Sequence, residues 1–232
     1  MIGAVRYGDE DSPNRIAIAV CTLGAVRAEW WLMSTSAAQP LGTAQAFVTI
    51  IGETIEDARN LAAAYAETGG WEYLMFWDDD VVPHKLNAVE YLLETMDQND
   101  EIDILGGVYP ARTMVPIPIV YQERGGKVWW GWENGHIHRV WMTGTGFTVY
   151  RMSSLKKLNP TKKEMRFENG KVWHMPRYFR MEGNVDDYQL AIDAEKAGLS
   201  WYVHGGVTAD QMELSGKRYR FEDAKQRIEV PA

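Results

Sequence analysis

Residues 16–20, Ile16-Ala17-Ile18-Ala19-Val20, form an uninterrupted apolar run, short and rich in β-branched side chains. Such a run fits a strand buried on both faces. Similar runs recur at 47–51, 72–77 and 102–108. The stretches between them keep a different period. In 54–66, Ile55, Ala58, Leu61, Ala62 and Tyr65 fall on one helical face. Thr54 is placed to cap that helix, Asp57 follows three residues on, and Gly69-Gly70 end it. In 85–97 the apolar side is Leu86, Val89, Leu92, Leu93 and Met96. Residues 25–38, with Trp30 and Trp31, give a weaker helical reading. Alternating strands and helices predict an α/β fold: a mostly parallel, doubly wound sheet with helices on both faces.

The pattern changes after Tyr109-Pro110. Pro116, Pro118, Gly125-Gly126 and the tryptophans from Trp129 to Trp132 predict short antiparallel strands and hairpins. Residues 136–142 alternate like a strand, Gly144-Thr145-Gly146 interrupt it, and 147–150 resume it. Ser153 or Ser154 opens a short helix, and 159–181 reads as a long loop. Asn184 or Asp186 caps a helix that closes at Ala197-Gly198, and 201–203 is the last strand. Residues 1–14 read as a loose arm and 215–232 as a charged tail. One domain over 15–214 is expected between them, with a small antiparallel part toward its C-terminal end.

Composition narrows the function classes. The chain has 232 residues, 46% hydrophobic and 24% charged, as in ordinary globular domains. The single cysteine, Cys21, excludes an intrachain disulfide and a multi-cysteine zinc site and fits a reducing compartment. No basic-then-apolar leader opens the chain, and no apolar run reaches membrane-span length. A soluble, cytoplasmic protein is expected. A net charge of −8 argues against general nucleic-acid coating. The charge is uneven, however: 151–180 carries nine Lys or Arg against two Glu. This is either a solvated basic loop or a face for an anionic acceptor.

The third apolar run ends in Asp78-Asp79-Asp80. Three adjacent carboxylates repel one another and lose hydration, so they call for a counter-charge. Period-two alternation sends Asp78 and Asp80 to the same side. Hard oxygen ligands presented together suit Mg²⁺ or Mn²⁺, with a substrate diphosphate completing the shell. The simpler alternative is a solvated turn with an N-capping Asp. Thr22 ends the first strand, a usual ligand position in open α/β sheets. Arg59 and Asn60 lie near a helix start, where they can meet a base or phosphate, or merely pair along the helix. Gly144, Thr145 and Gly146 allow close backbone approach to a ligand, or form a bulge. Asp186 and Asp187 open a helix, where a carboxylate can serve as general base or only as a cap.

In this order, Ala58-Arg59-Asn60, Asp78-Asp79-Asp80, Gly106-Gly107-Val108-Tyr109-Pro110, Gly144-Thr145-Gly146-Phe147 and Asp186-Asp187 resemble the GT-A nucleotide-sugar glycosyltransferases. The likeness covers roughly 15–211 and is nearest to short family-2-like members, including phage-encoded ones. It implies the GT-A sheet, a UDP-sugar donor and a hydroxyl acceptor. Asp78 to Asp80 match the family's DxD motif: Asp80 would bind Mn²⁺ or Mg²⁺ at the donor diphosphate, and Asp78 would sit near the ribose and the metal. Thr22, Arg59, Asn60, Gly144 and Thr145 would surround the nucleotide. Asp187, with Asp186 second, would be the base of an inverting displacement. The family often places a further metal-binding His after the last strand; here Asp210 and Gln211 occupy that place, and both are candidates.

Two other classes remain in view. A nucleotidyltransferase would want a Gly-rich basic loop after the first strand, and 21–26 holds one Gly and no Lys or Arg. A non-catalytic sugar- or nucleotide-binding module fits the missing His. The basic 151–180 stretch, with Lys217, Arg218 and Arg220, permits modified phage DNA or an anionic glycan as acceptor, in host cytoplasm if phage-encoded. His174 and the tryptophans Trp129, Trp130 and Trp132 are secondary candidates for acceptor contacts.

Overall fold

The computed structural model describes residues 1–9, 11–37, 44–166, 172–181 and 186–228, with the side chains of Arg166, Asp186 and 225–228 outside that description. It opens with β1 (Ile2–Tyr7), β2 (Asn14–Thr22), α1 (Ala28–Ala37), β3 (Ala44–Ile51), α2 (Ile55–Thr68) and β4 (Tyr73–Trp77). β5 (Val81–Pro83), α3 (Ala88–Gln98), β6 (Ile104–Val108), β7 (Val120–Tyr121), β8 (Ile137–Val140), β9 (Met142–Thr143) and β10 (Phe147–Arg151) follow. The chain continues with α4 (Met152–Leu155), β11 (Thr161–Arg166), β12 (Val172–Arg177), α5 (Asp186–Lys196), β13 (Trp201–Met212), β14 (Arg218–Tyr219) and α6 (Phe221–Ile228).

The central sheet runs β1-β3-β2-β4-β10-β6-β13-β14, with β5 and β8 also pairing with β13. β2 is parallel to β3 and β4, and β13 is parallel to β6. β10 inserts antiparallel between β4 and β6, so β2, β3, β4, β6 and β13 share one direction. The α/β expectation holds, with a mostly parallel sheet.

Strand periodicity splits the interior into two cores. Ala17, Ala19, Leu74 and Phe76 face a cluster with Ala58 and Leu61 of α2 and Leu190 and Ala194 of α5. Ile16, Ile18, Met75 and Trp77 face the opposite cluster, which holds Trp30 of α1 and Val89 and Leu92 of α3. Residues 16–20 of β2 and all of β4 are therefore apolar at every position, because both faces are covered there.

Three expectations change. The arm at 1–14 contains an edge strand: β1 pairs in register with β3, Ile2 opposite Ile50 and Tyr7 opposite Gln45. The long loop at 159–181 contains a hairpin, β11 against β12, whose alternation was hidden by its lysines. The charged tail returns to the body. β14 pairs with β13, and Phe221 at the start of α6 packs on Trp130 and Trp132. Those two tryptophans thus serve packing. Among the described residues no helix is long and apolar enough to cross a membrane.

Candidate active site

A cleft of about 570 Å³ opens at the carboxyl ends of β2, β3, β4 and β6. That position, and a volume within the usual few-hundred-Å³ range of ligand sites, suit a small-molecule pocket. Asp78, Asp79 and Asp80 all line it. Strand alternation does not separate Asp79, because β4 ends at Trp77 and the triplet forms the turn into β5. Its backbone is held on several sides. Asp78 N–H donates to Gly146 O at 2.7 Å, Trp30 Nε1 donates to Asp78 O at 2.9 Å, and Met212 N–H donates to Asp80 O at 2.7 Å.

Gly144 and Gly146 act beneath the cleft. A Cβ on Gly146 would collide with the Asp78 carboxylate, and one on Gly144 with the Tyr109 hydroxyl. Gly146 N–H donates to that hydroxyl at 2.9 Å. Burial, with the Asp187 and Asp78 charges added, keeps Tyr109 well above the ordinary phenol range. The close approach expected of these glycines is therefore made to Tyr109 and Asp78 from within the protein.

Asp80 is under electrostatic stress. Loss of water, followed by the Asp78 charge, pushes its carboxyl up to about 7, against the pull of Arg112 and Gln211. Its Oδ2 accepts from Gln211 Nε2 at 3.2 Å and faces Arg112 Nη1 at 2.9 Å. Among the described residues its buried Oδ1 has no hydrogen-bond partner, and neither has Gln211 Oε1. Burial also raises Asp79, partly offset by the Thr22 hydroxyl and Arg112. Thr22 lines the cleft and its Oγ1 accepts from Gly24 N–H at 3.1 Å.

On the far wall, Arg59 is buried between two carboxylates. Its Nη1 lies 3.3 Å from Asp187 Oδ1 and its Nη2 3.6 Å from Asp78 Oδ1. Thr145 Oγ1 hydrogen-bonds the same Asp187 oxygen. Asp187, more than a hundred residues after the triplet, thus shares its cleft. Asp186 is the first residue of α5, and its side chain lies outside the described residues.

Other expected site residues go elsewhere. Asn60 is fully buried and clamps the chain after β12: its Nδ2 donates to Phe179 O at 2.7 Å and its Oδ1 accepts from Phe179 N–H at 2.9 Å. It serves the fold and does not line the cleft. Asp210 and Gln211 project to opposite faces of β13. Only Gln211 meets Asp80; Asp210 is met by His84 at 2.9 Å, Arg220 at 3.3 Å and Arg218 at 3.4 Å. Burial would raise the Asp210 carboxyl, but His84 and Arg220 outweigh it and hold it below its ordinary value. Asp210 is therefore withdrawn as a ligand candidate. His174 sits on β12, opposite Glu164 of β11. Much of the basic 151–180 stretch is neutralised internally. Lys163 pairs with Asp57 at 2.6 Å, Arg177 with Glu56, Arg180 with Asp193 at 2.6 Å, and Lys157 with Asp103 at 3.4 Å.

The sequence gives no site role to Arg112, nor to Tyr109, which enters it only within the 106–110 stretch. Their only signal was their place just after the strand ending Gly106-Gly107-Val108, at the same sheet edge as the triplet.

Among the described residues, no three His, Cys, Asp or Glu side chains are arranged to hold a metal ion by themselves. The donor set nevertheless suits a hard cation completed by ligand oxygens: a stressed carboxylate with an unpartnered oxygen, a neighbouring unpartnered amide oxygen, and Asp78 beside them.

No protein-family model matches this chain, and no curated protein matches it. Solved structures do. The crystal structure of A197 from STIV aligns with TM-score 0.57 at 17% identity, over 88% of this chain and 93% of that one. The crystal structure of GalNAc-T7 with UDP, GalNAc and Mn²⁺ aligns with TM-score 0.48 at 10% identity, over 96% of this chain and 48% of that one. The likeness to A197 is one of fold.

Proposed function

We propose that this chain is a divalent-cation-dependent glycosyltransferase of GT-A type, transferring a sugar from a nucleoside diphosphate sugar, of the UDP class, to a hydroxyl. One observation carries the reading. The cleft is lined by six carboxylates, Glu53, Asp78, Asp79, Asp80, Asp187 and Glu213, against three arginines, Arg27, Arg59 and Arg112. An anionic diphosphate enters such a surface only with a cation, and the buried oxygens of Asp80 and Gln211, unpartnered among the described residues, are suited to hold one.

In this reading Asp80, Gln211 and Asp78 hold Mn²⁺ or Mg²⁺. The ion supplies charge neutralisation for the departing diphosphate. Thr22, beside Asp79 at the end of β2, faces the nucleotide. Asp187 takes the proton of the acceptor hydroxyl as its oxygen bonds to the anomeric carbon and the bond to the diphosphate oxygen breaks. Thr145 and Arg59 orient the Asp187 carboxylate toward the cleft. Base and leaving group on opposite sides of the sugar give inversion.

Donor turnover tests the reading. A panel of UDP-sugars incubated with Mn²⁺ should show slow release of UDP to water, abolished in Asp80→Asn and strongly reduced in Asp187→Asn. No release with any donor would favour a binding module, and diphosphate release from a nucleoside triphosphate and a sugar phosphate would favour nucleotidyl transfer.

A further inference from the structure

The three arginines of the cleft are held in different ways. Arg59 is almost wholly buried between Asp78 and Asp187. Arg27 is tied to the opposite rim, donating from Nη1 to Leu214 O at 2.6 Å. Arg112 is 50% exposed and reaches Asp80 Oδ2 from the turn that follows β6. That turn is closed on itself: Ala111 N–H donates to Ile117 O at 2.8 Å, and Pro110 bridges to Pro118 at its stem. The turn therefore stations the Arg112 backbone at the cleft mouth while its long side chain stays in solvent contact, where it is free to change partner.

At Asp80, Arg112 supplies the positive charge the carboxylate needs, on Oδ2 and directly beside the Oδ1 suited to a divalent ion. Gln211 Nε2 shares Oδ2 with it, and Oδ1 lies beside them with no partner among the described residues. A cation arriving at Asp80 meets a guanidinium of like charge already in contact with the carboxylate. We infer that Arg112 is a tethered counter-ion that a divalent cation must displace from Asp80, and that the displaced guanidinium then binds the donor's diphosphate. This rests on the glycosyltransferase reading given above. Arginine suits both roles, because its planar fork pairs with carboxylate and with phosphate oxygens alike. Arg112 thus sets how much divalent ion the apo protein needs, and hands the donor its own cation once the ion is in place.

The test is Mn²⁺ binding without nucleotide, read from the electron paramagnetic resonance signal of free Mn²⁺, followed by UDP titration at saturating Mn²⁺. Arg112→Gln should bind Mn²⁺ about tenfold more tightly than the parent chain and then bind UDP about tenfold more weakly, as loss of one charged hydrogen bond in each state requires. Arg112→Lys should stay near the parent in Mn²⁺ affinity. Unchanged or weaker Mn²⁺ binding in Arg112→Gln, or unchanged UDP binding, overturns the inference. Asp80→Asn separates this failure from that of the ion site itself. Mn²⁺ binding that is absent from all chains, or undiminished in Asp80→Asn, removes the ion site and the inference with it. Binding lost in Asp80→Asn but unaffected by Arg112→Gln removes only the role of Arg112.

Discussion

Arg59 places Nη1 3.3 Å from Oδ1 of Asp187, 128 positions later in the chain. Through Nη2 the same guanidinium reaches Asp78, so one buried cation joins the two halves of the cleft. Removing it would take the shared counter-charge from two carboxylates in a largely buried wall. Arg59→Met should destabilise the fold by about 3–5 kcal/mol, the usual cost of breaking a buried ion pair on one side. Arg59→Lys should fold more nearly normally, yet turn over donor at least tenfold more slowly, because one ammonium cannot hold both carboxylates. Urea denaturation and donor hydrolysis measure the two effects.

Asp80 gives a pH signature. Its folded value of about 7 lies above the ordinary 3.8, so between these limits the folded chain binds a proton that the unfolded chain releases. Stability should therefore fall as pH rises through this window and level off above it. Asp80→Asn should abolish that slope and be the more stable chain at pH 8 in EDTA, by on the order of 2–4 kcal/mol. The two chains should converge near pH 4. Thermal unfolding across pH, with and without EDTA, reads this, and added Mn²⁺ should restore the parent chain alone.

Asn60 tests the withdrawal of one expected ligand contact. Its amide makes paired bonds with the Phe179 backbone in a buried position. Asn60→Ala should cost about 2–3 kcal/mol, since it leaves both backbone groups unsatisfied. Binding of UDP to the folded variant should stay within about twofold of the parent, which titration calorimetry below the unfolding temperature can measure.

These residues also mark what the sequence could carry. The Asp triplet was legible because a buried strand ending in carboxylates is a local pattern. Two-faced burial made β2 and β4 equally plain. The period-two rule also separates Asp210 from Gln211, but only once β13 is known to run on to Met212 rather than stop at 203. Asn60 was misread because its partner lies 119 residues away, and a buried Asn on a helix looks the same whether it grips backbone or ligand. Arg112 was invisible because its meaning depends on where a turn lands, and no periodicity encodes that. β1 and the β11–β12 hairpin were missed because glycine and lysine dilute their alternation.

Asp210 and Gln211 make the next comparison. Asp210 is satisfied by His84, Arg218 and Arg220, whereas Gln211 directs an unpartnered oxygen beside Asp80. Asp210→Asn should leave Mn²⁺-supported UDP binding within about twofold. Gln211→Leu, close in size but without the amide, should weaken it by about tenfold or more, as losing one ligand requires. The reverse order would return Asp210 to the site.

The most direct measurement is the affinity for UDP with and without Mn²⁺, in the parent chain and in Asp80→Asn. A cleft with twice as many carboxylates as arginines should bind UDP at least tenfold more tightly when Mn²⁺ is present, and Asp80→Asn should erase that gain. UDP binding that is equally tight without the ion, or a Mn²⁺ effect that survives Asp80→Asn, would contradict the account.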